Sequence, residues 1–402
     1  AGIKGDQLVG SYYVKFDQVY KAQVAFMTEQ LGDSARAAKE APILVEAQQM
    51  LRQWEQGDEA VRALWKTMNG WVYEGFEDTY RQIGIHFDKT YYESETYLLG
   101  KETVAEGLQK GAFYKKEDSS VWADLTEEGL DHKLVLRADG TSVYMTQDLG
   151  VADLRYRDYG FDRSIYVVGN EQDYHFEVLF KLMRRLGRSY AANMHHLSYG
   201  MVDLPSGKMK SREGTVVDAD QLLQTMIQTA AQHTQALGKI DDFTPEEAQA
   251  LYHTLALGAL KYFLLRVEAR KRLLFDPQAS IDFQGHTGPS IQYTHARIAA
   301  ILRKAQQATI PQAAATPDTY GPLHPAARDI IIHLYKFPQR VQEAAGAYSP
   351  AVVAQYAFEL AKAYNKFYAE VPVLHERDPS LRQQHVYLSA TVARTLRTSM
   401  GL

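Results

Sequence analysis

SVYMTQDLGVADLRYRDYGFDRSIYVVGNEQDYHFEVLFKLMRRLG, Ser142 to Gly187, is the stretch on which the fold turns. SVYMTQDL and SIYVVGNE read as buried strands, and each runs into a helical pattern, VADLRYRDYG and then YHFEVLFKLMRRLG. Strand and helix alternating at this spacing predict a parallel, doubly wound sheet. Ligands of such sheets bind beyond the carboxyl ends of the strands. Tyr144 and Asp148 flank one predicted strand end, and Gln172, Asp173 and His175 the next. A carboxylate such as Asp148 can pair bidentately with a guanidinium, and Gln172 can orient an amino or carboxyl group. Asp148 serves equally well as a helix N-cap, and His175 as a satisfied histidine at a helix start.

Upstream, VEAQQMLRQWEQGDEAVRALWKTM spaces Val45, Met50, Leu51, Trp54, Val61, Leu64 and Trp65 by three and four, with a break at Gly57. That is one apolar helix face. VWADL and HKLVLRADG are short runs with strand character. Beyond Asp218 the pattern is helical: LYHTLALGALKYFLLRVEARKRLLF, then SIQYTHARIAAILRKAQQA with Ile291, Ile298, Ile301 and Leu302 on one face. A loop is expected over Gln306–Pro325, followed by SPAVVAQYAFELAKAYNKFYAEV, entered by the cap pair Ser349 and Pro350, and LRQQHVYLSATVARTLRTSM. The architecture read from sequence is α/β in front and an all-helical bundle behind. Tyr356, Tyr364, Phe367 and Tyr368 form a stripe read as core rather than as a base-stacking platform.

The 402 residues are 46% hydrophobic and 23% charged, the balance of a soluble globular chain. With no cysteine, disulfides, thiolate zinc sites and a cysteine nucleophile are excluded, and a reducing compartment fits. No metal-ligand spacing occurs among the 13 histidines, since His195 and His196 are adjacent and point apart on a strand. Net charge is −5, but from Gln284 onward 12 Lys and Arg stand against 7 Asp and Glu, leaving 32 against 42 in front. An acidic front and a basic tail hint at a polyanion contact in the tail.

Within the acidic front lies GKMKSREGTV, Gly207–Val216. Mobile ammonium groups and free backbone N–H groups suit the charge that develops on a triphosphate as pyrophosphate leaves. Without other context the same residues make a solvated basic turn. The spacing is not that of a Walker loop.

YMTQDLG (144–150), YVVGNEQDYHFEVLFKL (166–182), GKMKSREGTVVDADQLL (207–223) and FQGHTGPSIQYTHARIAAILRKA (283–305), in this order, resemble the arginyl-tRNA synthetase family of class I. The resemblance spans essentially the whole chain. It implies a Rossmann-like catalytic portion over 1–283 and a helical DALR-type anticodon-binding domain over 284–402. It also implies L-arginine, ATP with magnesium, and arginine tRNA as substrates, and a cytoplasmic enzyme that is monomeric when intact, with no tightly bound metal and no membrane. GKMKSREG matches the KMSKS-type loop, with Lys208 as its first lysine. The second lysine falls on Ser211, so Lys210 or Arg212 stands in for it. Tyr144, Asp148 and Gln172 match positions lining the arginine pocket. Met201 and Val202 match positions against adenine, and His175 and Lys208 are placed with them on ATP.

The family's HIGH-type signature is absent. QIGIHF (82–87) echoes it in the wrong context. Ala1 and the closing TLRTSMGL read as interrupted, so a piece of a longer enzyme, inactive alone, is expected. A processed N-terminus, a catalytically silent RNA-binding paralogue and another adenylyl-transferring enzyme are the alternatives.

Overall fold

A computed structural model describes residues 2–203, 218–236, 238, 240, 243–312 and 322–401. Packing divides the chain into two compact units: 1–88 with 203–257 and 276–278, and 89–202 with 258–275 and 279–402.

The first unit is helical. Helices α1 (Gly5–Leu31), α2 (Ser34–Glu40), α3 (Pro42–Gln56) and α4 (Glu59–Ile83) lead the chain, and α9 (Ala219–Ala236) joins them later. The break expected at Gly57 is real: it caps α3 in the left-handed region at φ 90, where glycine carries no side-chain penalty. The expected apolar face is not buried, however. Val45, Met50, Leu51, Leu64 and Trp65 are exposed, and neither α1 nor α3 holds a buried residue. The spacing gave the helices correctly but not what lies against them. Lys4 instead fastens the start of α1 to the unit, bonding Thr79 of α4 and Asp220 of α9, each at 2.5 Å.

The second unit opens with α5 (Glu93–Thr96) and α6 (Gly100–Gln109), then an antiparallel sheet of β1 (Tyr114–Lys115), β2 (Val121–Ala123) and β3 (Lys133–Leu136). Next come α7 (Tyr144–Tyr159), β4 (Ser164–Gly169), α8 (Asp173–Arg185) and β5 (Met194–Tyr199). Here the structure corrects the opening expectation, because YMTQDL is the start of α7 and not a strand. Thr146 decides it: its hydroxyl accepts from Val143 N at 2.9 Å and donates to Val135 O on β3. Met145, Thr146, Leu149 and Ala152 are then buried at helical spacing. Among the described residues the parallel sheet is therefore the pair β4–β5, in register from Ser164↔Met194 to Gly169↔Tyr199.

Strands β6 (Val202–Asp203) and β7 (Leu273–Leu274) are two residues each, and α10 (Pro245–Leu265) stops well short of Phe275. Past its end the backbone bonds to the loop after β5, with Gly200 N donating to Ala269 O and Leu273 N to Met201 O. After the short α11 (Pro277–Ser280) come α12 (Gly288–Gln307), α13 (Pro325–Ala347), α14 (Pro350–Glu370) and α15 (Pro379–Gly401), which pack as a helical bundle. Ile291, Ile298, Ile330, Leu360, Tyr364, Phe367, Val392 and Leu396 fill its core. Ser349 and Pro350 open α14 as expected. Helix α13 is an addition, and the loop expected over Gln306–Pro325 is described only at its ends. No described helix is long and apolar enough to cross a membrane.

Candidate functional site

Helix α7 crosses α6 at close range, because a Cβ on Gly100 would lie 1.6 Å from Thr146 O and one on Gly150 2.5 Å from Gly100 N. The crossing fixes the first turns of α7. Tyr144 and Asp148, four apart, lie one above the other on a single helix face, the Tyr144 ring 77% exposed. So the two residues stand together as expected, but on a helix rather than at a strand end, and Asp148 is no N-cap. Asp148 Oδ2 meets His175 Nε2 at 2.6 Å. His175 lies in the first turn of α8, just beyond β4, and Gln172 closes the 3₁₀ turn of Asn170–Gln172 between them. Beneath them Tyr166 of β4 is packed against Phe176 and Phe180, with the Arg155 guanidinium 5.5 Å from its ring centroid. Burial pushes its hydroxyl pKa up, so the phenol stays neutral.

The contact leaves one carboxylate oxygen of Asp148 for a second partner. A planar cation arriving over Tyr144 would meet a carboxylate already oriented by imidazole, at a strand's carboxyl end.

The adjacent histidines on β5 face opposite ways, as expected of a strand. His196 Nε2 meets Val168 O at 2.9 Å and its Nδ1 lies 3.3 Å from Asp173 Oδ1. His195 stacks on Tyr348, and burial, aided by His196, Arg270 and Arg163, holds its pKa below the ordinary value. Past β5, Met201 is 54% exposed and Val202 half-buried. The Met201 carbonyl already accepts from Leu273 N at 3.0 Å, which pins this backbone. Lys208, Lys210, Ser211 and Arg212 lie outside the described residues.

An ion network braces this arrangement. Arg188 forks onto both Glu106 oxygens of α6 at 2.7 and 2.6 Å and also bonds both Asp153 oxygens of α7 at 2.8 Å. Tyr190 donates to Asp153 as well. The Arg188 bonds, with help from Lys110, hold the Glu106 carboxyl at about 2.

A second candidate surface lies on the bundle. Tyr293, Arg297, Lys304, Tyr368 and His375 line a cleft of ≈ 540 Å³ with the segment Val371–Leu374. The Arg297 guanidinium carbon is 5.0 Å from the ring centroids of both Tyr293 and Tyr368. Asn365 holds it there, accepting from Arg297 Nη1 and donating to buried Thr294 at 3.0 Å. Aromatic faces, a guanidinium and an ammonium in one open cleft suit a flipped-out base and its phosphate. Tyr356, Tyr364 and Phe367 are core as expected, but Tyr368 is 44% exposed and belongs to the cleft. The sequence reading missed Tyr293, Arg297 and Lys304, although their spacing of four and seven along α12 marks them as one face.

A family model described as "tRNA synthetases class I (R), catalytic domain" matches residues 16–276. A second, described as "DALR anticodon binding domain", matches 291–402. The arginine–tRNA ligase of Amoebophilus asiaticus is 66% identical over 401 residues, covering 100% of this chain and 67% of that protein. That of Bacteroides fragilis is 54% identical over 402 residues, with the same coverage. Among solved structures, arginyl-tRNA synthetase from Thermus thermophilus shares the fold at a TM-score of 0.73 and 22% identity, over 94% of this chain and 72% of that one.

Proposed function

This chain belongs to the arginyl-tRNA synthetase family of class I, and from that premise we propose how its residues divide the work of an arginine–tRNA ligase. Such an enzyme activates the arginine carboxylate with ATP and passes the arginyl group to tRNA. Asp148 takes the arginine guanidinium, Tyr144 covers it, and Gln172 orients the amino acid's polar end. His175 serves first to aim Asp148. Met201 and Val202 present pinned backbone to adenine. Lys208, with Lys210, Ser211 and Arg212, meets the phosphates, where fixed positive charge stabilises the transition state for pyrophosphate release. ATP enters as its magnesium complex, the ion arriving with the nucleotide.

The residues over 284–402 form the RNA-binding domain and those over 1–283 the catalytic portion. The Tyr293, Arg297 and Tyr368 cleft takes a base of the arginine tRNA, with Lys304 on a phosphate. We place the enzyme in the cytoplasm, as a monomer.

What carries this reading is the Asp148–His175 contact at 2.6 Å beside an exposed Tyr144. Asp148→Asn keeps the shape and removes the charge. Hydrogen bonds to a charged group contribute about 1.5–3 kcal/mol, so arginine affinity measured by calorimetry should fall about 10- to 100-fold. Unchanged arginine affinity in that variant would remove Asp148 from the pocket.

A further inference from the structure

Helix α13 ends at Tyr348 with φ 51 and ψ 39, one of three non-glycine residues of positive φ among those described. Two residues, Tyr348 and Ser349, turn the chain from α13 into α14. Pro350 keeps Ser349 extended, at φ −122 and ψ 97, because proline disfavours helical backbone in the residue before it. The reversal therefore falls on position 348, where glycine or asparagine is the usual occupant. An aromatic residue held in this strained region is a reason to look for what its side chain does.

The ring lies against two strand starts. Its centroid is 4.3 Å from that of His195 with the planes 21° apart, and the Arg163 guanidinium carbon is 5.5 Å from it. Arg163 immediately precedes β4, and His195 pairs with Ile165 in the β4–β5 register. Tyr348 thus clamps the amino ends of both parallel strands, while their carboxyl ends lead to Gln172, His175 and Met201. The six-residue strands place those ends about 20 Å apart. On the opposite face of β5, His196 meets Val168 O and lies beside Asp173 at the start of α8. A displacement of β5 is felt on both faces.

The geometry points to Tyr348 as a positioning residue that docks the α13–α14 hairpin of the RNA-binding bundle onto β4 and β5, so that tRNA held by the bundle sets the strands whose carboxyl ends lead to Gln172, His175 and Met201. The inference rests on the tRNA reading above. It gives the turn a purpose that glycine could not serve.

The test is hydrogen–deuterium exchange of residues 164–199 with and without arginine tRNA, in wild type, Tyr348→Gly and Tyr348→Phe, alongside tRNA affinity and melting temperature. Glycine relaxes the backbone and removes the ring, whereas phenylalanine keeps the ring. Expected are tRNA-induced protection in wild type and Tyr348→Phe, and its loss by at least about fivefold in Tyr348→Gly, the lower range of a site-to-site coupling. Affinity for tRNA and melting temperature should stay at or above wild type in that variant. Equal protection in Tyr348→Gly overturns the proposal. Loss of protection together with a lowered melting temperature also overturns it, because the ring would then be a brace only. Failure of wild type to bind arginine tRNA overturns the functional reading itself and is told apart by the affinity measurement.

Discussion

Glu106 shows what single residues contribute to holding the site in place. Its carboxyl receives the Arg188 fork and Lys110 at 2.6 Å, and these bonds depress its pKa to about 2 from the ordinary 4.5. A depressed carboxylate stabilises the fold above its unfolded pKa, and that contribution drains away as pH falls from there through the folded value. The window is therefore roughly pH 4.5 down to 2, with stability lost toward the acid side. Glu106→Gln should be less stable than wild type at neutral pH and should flatten the dependence of melting temperature on pH within that window. A variant as steep as wild type there would mean that Glu106 is not the titrating group. The same residues illustrate what sequence reading reaches. Glu106, Asp153 and Arg188 come from three segments, and nothing in local spacing announces that they converge. Tyr144 and Asp148, only four apart, were legible as a pair.

At the scale of elements, the α6–α7 crossing sets where that pair stands. A Cβ on Gly100 would be 1.6 Å from Thr146 O and 2.4 Å from Thr146 C, and backbone cannot yield as a flexible side chain does. Gly100→Ala should cost at least the about 1–3 kcal/mol typical of overpacking and weaken arginine binding by shifting α7. Wild-type melting behaviour in this variant would show that the helices do not cross so closely. Sequence reading erred in this same place. Val143 and Met145 alternate with polar neighbours as a strand would, and the competing signal was tertiary, the bond from Thr146 to Val135 O. Helix α13, absent from the sequence reading, continues through Pro338, a residue that local rules expect to break or kink a helix. Strand β4 was legible from its apolar run SIYVVG, and β5 as the strand on which His195 and His196 point apart. That they pair only with each other among the described residues was not, and Ile165 and Val167 on β4 stand 43% and 63% exposed, so that face of β4 is left largely uncovered.

The whole molecule poses an electrostatic question: a chain of net charge −5 has to bind a polyanion. It can do so if its cations are gathered locally, and from Gln284 onward they outnumber the acids 12 to 7. Within that region the cleft separates two kinds of contact. In the proposed contact Lys304 meets a phosphate, whereas Tyr368 and Tyr293, with Arg297 between them in the same cleft, offer faces for a base. The two kinds respond differently to salt, because only phosphate neutralisation releases counterions. Lys304→Ala should reduce the slope of log affinity for arginine tRNA against log salt by about 0.7–0.9, the value of one phosphate contact. Tyr368→Ala should leave the slope alone and weaken binding at every salt concentration, by about 5- to 100-fold if one stacked base is worth about 1–3 kcal/mol. Filter-binding titrations across a salt series would read both quantities. Equal slope changes in the two variants would contradict the division of labour, and no change in either would move the RNA contact elsewhere on the bundle. Since the cleft lies on α12 and α14 while Tyr348 joins α13 to α14, the variant that abolishes base stacking should also abolish tRNA-induced protection of β4 and β5, whereas Lys304→Ala at saturating tRNA should preserve it.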